Sequence, residues 1–412
     1  METAVQDVKK QTVLCVDIGS SSLKTALIDN TGHVLAYERR KFDLSSPSSM
    51  WYNALCGSVH EILHKTSLKN PEAVSISGNG PTFCAQYNSG HTELVMWNDA
   101  RFSDFPYKGK SLFMPRILSY LSKTESGTDT PVSLLSGPEY LVWQLCGEKT
   151  TLLPEERFLE AYWTKEDIDA SGLAHSVFPP FIKLGQKSGT LTEKAGKDLG
   201  ICAEGKDISV FCAGPDFTSA LIGTNTLSPG LLCDRAGSSE GINVCTAVPL
   251  YTGGVRTLPS VISGLYNASI LISDSGIRFS SLKKTSGFAD ASYKDYVSHL
   301  LENRTDTGYE QMIHLAKECG DALTKLISLY GKNIERRITV TGGQARNPFW
   351  LQVKSSIMNA VIDIPSCTDA ELTGNAAVAF SGLGCFPDIY TASKSLFKIQ
   401  MTLCPDGNTY TL

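Results

Sequence analysis

The pattern 17-DIGSSSLKTAL-27 returns as 234-DRAGSSEGINV-244, and this echo constrains the fold more than any other feature of the chain. Each copy has an aspartate near the end of an apolar run, a Gly-Ser-Ser turn, and a second β-prone run. Two strand–turn–strand units, one in each half of 412 residues, read as duplicated domains facing each other across a cleft. Coincidence between two Ser/Gly turns is the alternative at this level. The length favours two or three domains with real hydrophobic cores.

Around the hairpins, strands interleave with helices, which makes the chain α/β. Residues 12–17, 22–29 and 33–39 read as strands, the last after the turn Asn30-Thr31-Gly32. Apolar spacing near 3.6 predicts a helix over 50–66. Residues 74–78, 83–87 and 93–97 are β-rich, and 111–123 and 133–146 read as helices. A buried strand over 207–214 leads into a helix over 215–224. In the second half, 230–247 is strand–turn–strand, with helices near 290–302 and 308–330. A strand over 337–343, a helix over 347–360, a strand over 361–364 and a helix over 371–382 follow. The expected domains are 1–226 and 227–412.

Hydrophobic content of 42% and charged content of 19% fit a soluble globular protein. A net charge of -5 argues against nucleic acid as the main partner. The start METAVQDVKKQ has no apolar core of a secretory signal, and no run of about 18 apolar residues predicts a membrane span. Twelve cysteines without a Cys-x-x-Cys pair read as reduced thiols of a cytoplasmic protein. The glycosylation-type sites at Asn267 and Asn303 carry no meaning there.

Several segments can carry chemistry. Asp17-Ile18-Gly19-Ser20-Ser21-Ser22 lacks the Gly-Lys-Ser/Thr ending of a Walker A loop and leads into a strand. Its glycine permits close backbone approach, and its N–H and hydroxyl groups can donate to phosphate oxygens. Asp17 can hold magnesium, usually through water, and Lys24 can neutralise phosphate if strand alternation points it there. A plain hairpin turn is the alternative. In CAGPDFTSALIGT, Asp216 lies at a helix N-terminus, where a cap is the commonest role. A carboxylate at the carboxyl end of an α/β strand is also where a general base belongs. Gly342-Gly343-Gln344 connects a strand to a helix, either to let a flat ligand lie on backbone or for packing alone. Trp97-Asn98-Asp99-Ala100-Arg101 combines an aromatic face with polar forks, which suits a polyhydroxylated ligand. An Asp–Arg pair stabilising a turn is its alternative. His60-Glu61-Ile62-Leu63-His64 matches the His-Glu-x-x-His zinc pattern, but no third ligand follows, and it reads as a surface helix.

In this order, DIGSSSLKTAL, WNDAR, GPDFTSALIGT, AGSSEG and ITVTGGQARNPFWLQ with ELTGNAAVA resemble the FGGY carbohydrate kinase family of the actin-like ATPase superfamily. The tail FKIQMTLCPDGNTY is similar to the family's closing Pro…Tyr pattern, and WNDAR is closest to its xylulokinase-like members. The resemblance spans nearly the whole chain. It implies two ribonuclease-H-like domains with ATP and Mg2+ in the cleft and a small sugar or polyol as acceptor. It places the general base on Asp216 and the metal on Asp17 and Asp216. Phosphate contacts fall on Gly19, Ser20, Ser21, Lys24, Gly237, Ser238 and Ser239, and adenosine contacts on Gly342, Gly343, Gln344 and Asn347. The acceptor falls on Asn79, Gly80, Pro81, Trp97, Asp99, Arg101 and Asp216. No membrane or nucleic acid partner is implied, and a homodimer is left open.

Two departures stand out. The family's polar pair on the strand aligned with SISGNGPTF is replaced by Gly80-Pro81, and the stretch between about 265 and 308 is shorter than the family's, without its Pro-Tyr…Gly-Glu-Arg segment. They keep open a nucleotide-binding relative without sugar kinase activity. An actin- or chaperone-like ATPase is a further alternative, although such proteins have no reason to carry WNDAR or GPDF.

Overall fold

The computed structural model describes residues 11–43, 49–68, 70–102, 105–124, 130–201, 205–331, 334–408 and 410. The expected lack of a leader concerns residues of which the first ten lie outside that range. The chain divides into two compact units: residues 1–219 with 371–396, and residues 220–370 with 397–412. The sequence suggested one crossing, at 226/227. The structure has three, because the segment after residue 370 returns to the first unit.

Unit 1 opens with β1 (Thr12–Ile18), β2 (Ser22–Asp29), β3 (Val34–Lys41), α1 (Met50–Thr66) and β4 (Ala73–Gly78). Next come β5 (Phe83–Gln86), β6 (Thr92–Val95), α2 (Met114–Lys123), β7 (Ser133–Ser136) and α3 (Gly137–Cys146). The unit continues with β8 (Thr151–Leu153), α4 (Leu159–Tyr162), α5 (Lys165–Ser171), β9 (Phe181–Lys183), β10 (Gly189–Thr190), α6 (Glu193–Leu199) and β11 (Ser209–Pro215). Its main sheet runs β10-β11-β4-β1-β2-β3. β1 pairs antiparallel with β2 and parallel with β4, which explains why all seven of its residues are buried. Leu14, Val16, Ile76 and Val210 of this sheet share a core with Leu55 and Val59 of α1 and Leu141 of α3.

The span 133–146 is not one helix. Ser133–Ser136 pairs with β5, and α3 begins at Gly137, where Ser136 and Glu139 form a reciprocal cap and a proline occupies the first turn. The strand read over 93–97 ends at Val95, because Trp97 N–H turns to the Thr82 hydroxyl at 2.9 Å.

α7 (Asp216–Gly223) spans the division at residue 219. Unit 2 then contains β12 (Leu232–Ala236), β13 (Glu240–Thr246), β14 (Arg256–Pro259), β15 (Tyr266–Ile272), α8 (Ser275–Lys283), α9 (Tyr293–Glu302) and α10 (Thr307–Tyr330). It continues with β16 (Arg337–Thr341), α11 (Pro348–Met358) and β17 (Val361–Pro365). α12 (Ala370–Gly382) and α13 (Ile389–Leu396) carry the chain back to unit 1, and β18 (Ile399–Leu403) ends in unit 2. The sheet order is β14-β15-β13-β12-β16-β17-β18. Ile242, Val244, Ile338 and Val340 of the sheet pack with Met312, Ala316 and Leu323 of α10 and Leu351 of α11. Both sequence echoes are therefore antiparallel hairpins, each inside its own sheet.

Candidate active site

In unit 1, three neighbouring parallel strands finish side by side. Asp17 on β1 pairs with Ser77 on β4, and Ser77 with Gly214 on β11. One step further, Ile18 pairs with Gly78 and Gly78 with Pro215. The residues that follow are Gly19, Asn79 and Asp216. The ends of β1 and β11 are two inter-strand spacings apart, about 10 Å. Such carboxyl-end edges are where open α/β sheets receive ligands.

Asp17 is buried there. Its Oδ1 accepts from Ser77 Oγ and its Oδ2 from Lys24 Nζ, both at 3.0 Å. Lys24 stands opposite Asp17 in the hairpin register, so the fold pairs this ammonium with the aspartate. From α12, Asn375 Nδ2 donates to Val16 O at 2.6 Å and Ser77 Oγ at 3.1 Å. The turn itself is closed by Gly19 N–H to Ser22 O at 3.0 Å, with Ser20 and Ser21 exposed.

Ser20 Oγ accepts from Trp97 Nε1 at 3.0 Å, which joins the turn to the aromatic segment. Within that segment Asp99 and Arg101 face each other as a fork, with Arg101 Nε at 3.0 Å and Nη2 at 2.6 Å. Arg101 holds the Asp99 carboxyl below the ordinary carboxylate range against a desolvation penalty. Arg116 donates to the carbonyls of Asp99 and Trp97. These contacts stabilise the turn and leave the Trp97 ring and Asn98 exposed.

Asn79 is 6% exposed. Its Oδ1 accepts from Thr82 Oγ1 at 2.7 Å, and its Nδ2 has no protein partner. Gly80 is exposed, and a Cβ there would meet only Phe113 Cζ, at 3.9 Å. Open room therefore stands where the resemblance leads one to expect a polar side chain.

Asp216 is half-buried and opens α7. The irregularity near the end of β11 requires glycine: Gly214 has φ +86°, and a Cβ would lie 2.7 Å from Leu152 Cδ2. Asp216 thus combines a helix N-terminus with the end of β11.

In unit 2, the Gly237-Ser238-Ser239 turn is clasped by the start of α8. Ser238 O accepts from Gly276 N and Ile277 N at 3.0 and 3.2 Å. Gly342, at φ +94°, lies so near β12 that a Cβ would be 2.6 Å from Ala236 O. Gly343 is exposed, with nothing within 4 Å of a Cβ. Gln344 donates to Glu240 Oε2 at 3.2 Å and accepts from Trp350 Nε1 at 2.7 Å. Asn347 caps α11, accepting from Trp350 N at 3.3 Å and donating to Tyr293 O at 3.1 Å. Of these expected adenosine residues, Gly343 presents the open face, while the Gln344 and Asn347 side chains hold the fold.

Sequence reasoning passed over Ser77, Asn375, Glu240 and Lys354. Asn375 and Glu240 lie inside quoted motifs, and a polar residue amid small apolar ones in ELTGNAAVA was the available signal. Lys354 carried none, since its partners Asp234 and Glu240 lie more than a hundred residues away. His60 and His64 lie exposed on α1.

Residues 309–383 match the C-terminal domain of the FGGY family of carbohydrate kinases. The chain is 22% identical over 475 aligned positions to a xylulose kinase of Staphylococcus epidermidis, covering 98% of this chain and 94% of that protein. It superimposes on a gluconate kinase from Lactobacillus acidophilus with a TM-score of 0.78 at 15% identity, covering 97% of this chain and 94% of that one. A ligand-bound xylulose kinase from the same organism gives a TM-score of 0.78 at 15% identity, with 96% and 94% covered. These likenesses establish a shared fold.

Proposed function

We propose that this chain, which belongs to the FGGY family of carbohydrate kinases, transfers the γ-phosphate of ATP to a hydroxyl of a pentulose-like sugar or polyol, with Asp216 as general base. The observation that carries the reading is the strand register of unit 1. It gathers Asp216, Asn79 and the Gly19–Ser21 turn at the carboxyl ends of three adjacent strands. The xylulose kinases among its relatives support a pentulose-like acceptor.

In this reading the Asp216 carboxylate takes the proton of the acceptor hydroxyl. The oxygen bonds to the γ-phosphorus, the bond to the bridging oxygen breaks, and ADP leaves. In unit 1, Gly19, Ser20 and Ser21 are assigned to phosphate oxygens; unit 2, taken by itself, carries the same assignment at Gly237, Ser238 and Ser239, with adenosine at Gly343. Asn79 Nδ2, buried without a partner, is a donor for an acceptor hydroxyl. Trp97 supplies an apolar face for sugar C–H groups. Rate enhancement comes mainly from positioning and charge stabilisation.

Mg2+ enters with the nucleotide as part of the substrate. Asp17 would hold it through a bridging water, and the ion would supply charge neutralisation to the phosphates. Asp17 has one contact on each oxygen and, as a carboxylate, further lone pairs to offer. Asp216 is the second carboxylate assigned to it. A cytoplasmic location accompanies the reading, as the chemistry of an ATP-dependent kinase leads one to expect; no described helix is long and apolar enough to cross a membrane.

The test is ADP release across ketoses, aldoses and polyols, with Asp216→Asn and Asp216→Ala as controls. We expect turnover with at least one pentulose-like acceptor and a loss of about 10²–10⁴-fold in kcat for Asp216→Asn. ATP binding with no acceptor raising turnover above the Asp216→Ala control overturns the kinase assignment.

A further inference from the structure

A charge cluster lies at the heart of unit 2. Asp234 on β12, Glu240 on β13 and Lys354 on α11 are at most 1% exposed. Lys354 Nζ donates to Asp234 Oδ2 and Glu240 Oε1. From α10, Cys319 gives its S–H to Glu240 Oε1 at 3.2 Å. From the turn after β16, Gln344 Nε2 donates to Glu240 Oε2 at 3.2 Å. Two carboxyl groups thus face one ammonium.

Their protonation states diverge. Burial, then repulsion from Glu240, raises Asp234 well above the ordinary range. Burial also pushes Glu240 up, but Lys354 and the hydrogen bonds outweigh it and bring it down to about 2. Two carboxyl groups that face one ammonium are electrically balanced when one of them keeps its proton, and these directions favour Asp234 as its holder. A buried ion pair is weak support for stability, and fixing one arrangement is its better-attested use.

The position of Glu240 in the chain says which arrangement. Glu240 directly follows the Gly237-Ser238-Ser239 turn, and Gln344 directly follows Gly342-Gly343. Gln344 is pinned at its other end by Trp350 Nε1 at 2.7 Å.

We propose that Glu240 is a positioning residue whose carboxylate, paired with Lys354, ties the Gly237–Ser239 turn to the Gly342–Gln344 turn and keeps the spacing a nucleotide needs. This rests on the reading that unit 2 binds the nucleotide. The link acts through Gln344, so it controls nucleotide affinity and leaves acceptor recognition alone.

Two near-isosteric changes separate this role from general damage to the core. Glu240→Gln keeps the charge balance, because Asp234 can release its proton and pair with Lys354. It nevertheless removes one acceptor from the junction. Asp234→Asn replaces a neutral acid by a neutral amide and leaves Glu240 with Lys354. Hydrogen exchange is followed over 234–244 and 338–348 in the unliganded protein, ATP binding by calorimetry, and KM for the acceptor by turnover. For Glu240→Gln we expect both segments to exchange about tenfold faster and ATP to bind about tenfold or more weakly, with the acceptor KM unchanged. Asp234→Asn changes each by less than about twofold. Gln344→Met cuts the same link from the half-buried side, and it serves should Glu240→Gln fail to fold.

Unchanged exchange in either segment overturns the tie. Faster exchange with unchanged ATP affinity overturns its bearing on the nucleotide. An Asp234→Asn protein as impaired as Glu240→Gln reduces the effect to core disturbance and overturns the proposal. Failure of the unaltered protein to bind ATP overturns the nucleotide reading itself, and the exchange data then still decide whether Glu240 joins the two turns.

Discussion

Gly342 and Gly343 are neighbours that ask different things of the chain. Gly342 combines φ +94° with a closest approach of 2.6 Å between a built Cβ and Ala236 O, whereas a Cβ at Gly343 meets nothing within 4 Å. Alanine at 342 meets both backbone strain and a collision, and Gly342→Ala is expected to cost about 2–4 kcal/mol of stability. Alanine at 343 meets neither, and Gly343→Ala should stay within about 0.5 kcal/mol of the unaltered protein. Its methyl group would stand on the face assigned to adenosine, so KM for ATP should rise. Thermal melts and ATP titrations separate the two, and an unchanged KM for ATP in Gly343→Ala means the nucleotide does not lie on that turn. The sequence displayed both glycines between a strand and a helix but could not divide these roles. The division comes from the parallel pairing of β12 with β16, residues more than a hundred positions apart. The Asp17–Lys24 pair was not read, because Lys24 was given to phosphate, although a hairpin with a short turn sets those residues opposite each other. The Asp99–Arg101 fork was legible, as the plainer of two readings.

At the scale of elements, the two hairpins were readable because apolar runs bounded by Gly-Ser turns leave few other options. α3 was misread at its start, although its signals were present. Ser136 and Glu139 stand at capping-box spacing, and Pro138 favours a first turn. What the sequence could not show is that Ser133–Ser136 has a strand partner in β5. α12 looked like part of the second domain, yet Asn375 bonds to Val16 O, and a Cβ on Gly374 would lie 2.0 Å from Ser219 O. Such close packing is encoded in small residues whose partners are remote in sequence. The cap of α3 also carries a pH dependence. Glu139 accepts from Ser136 N at 2.9 Å and Leu152 N at 2.7 Å, but burial outweighs these bonds and lifts its carboxyl from the ordinary 4.5 to about 7. The folded state therefore holds the proton more tightly than the unfolded chain. Its stabilising contribution is full below the unfolded value and is lost as pH rises through about 7, by up to about 3 kcal/mol. Glu139→Gln loses one acceptor at every pH but removes this slope. Denaturant midpoints at about pH 5 and about pH 8 should fall for the unaltered protein by more than for Glu139→Gln. Equal slopes would show that Glu139 is ionised in the fold throughout.

For the whole molecule, each unit has its own sheet and its own apolar core, so ligand responses can be followed unit by unit. The proposed chemistry assigns the adenosine end of the nucleotide to unit 2 and the acceptor to unit 1. A ligand that binds the native state stabilises it by about 2.7 kcal/mol at a hundredfold excess over Kd, and that stabilisation is read locally as slower amide exchange. ADP alone should therefore slow exchange over 237–239 and 342–347 and leave 78–82 and 97–101 near their unliganded rates. A saturating pentulose-like acceptor should do the reverse, slowing exchange around Asn79 and Trp97. Both patterns follow from positions that a single strand register fixes in each unit: Asp17, Ser77 and Gly214 in unit 1, Arg235 and Thr341 in unit 2. Protection by ADP confined to 78–82 would exchange the roles of the two units. An acceptor that protects neither Asn79 nor Trp97 would remove the open position at Gly80 from the acceptor site and return the search for the sugar to the rest of unit 1.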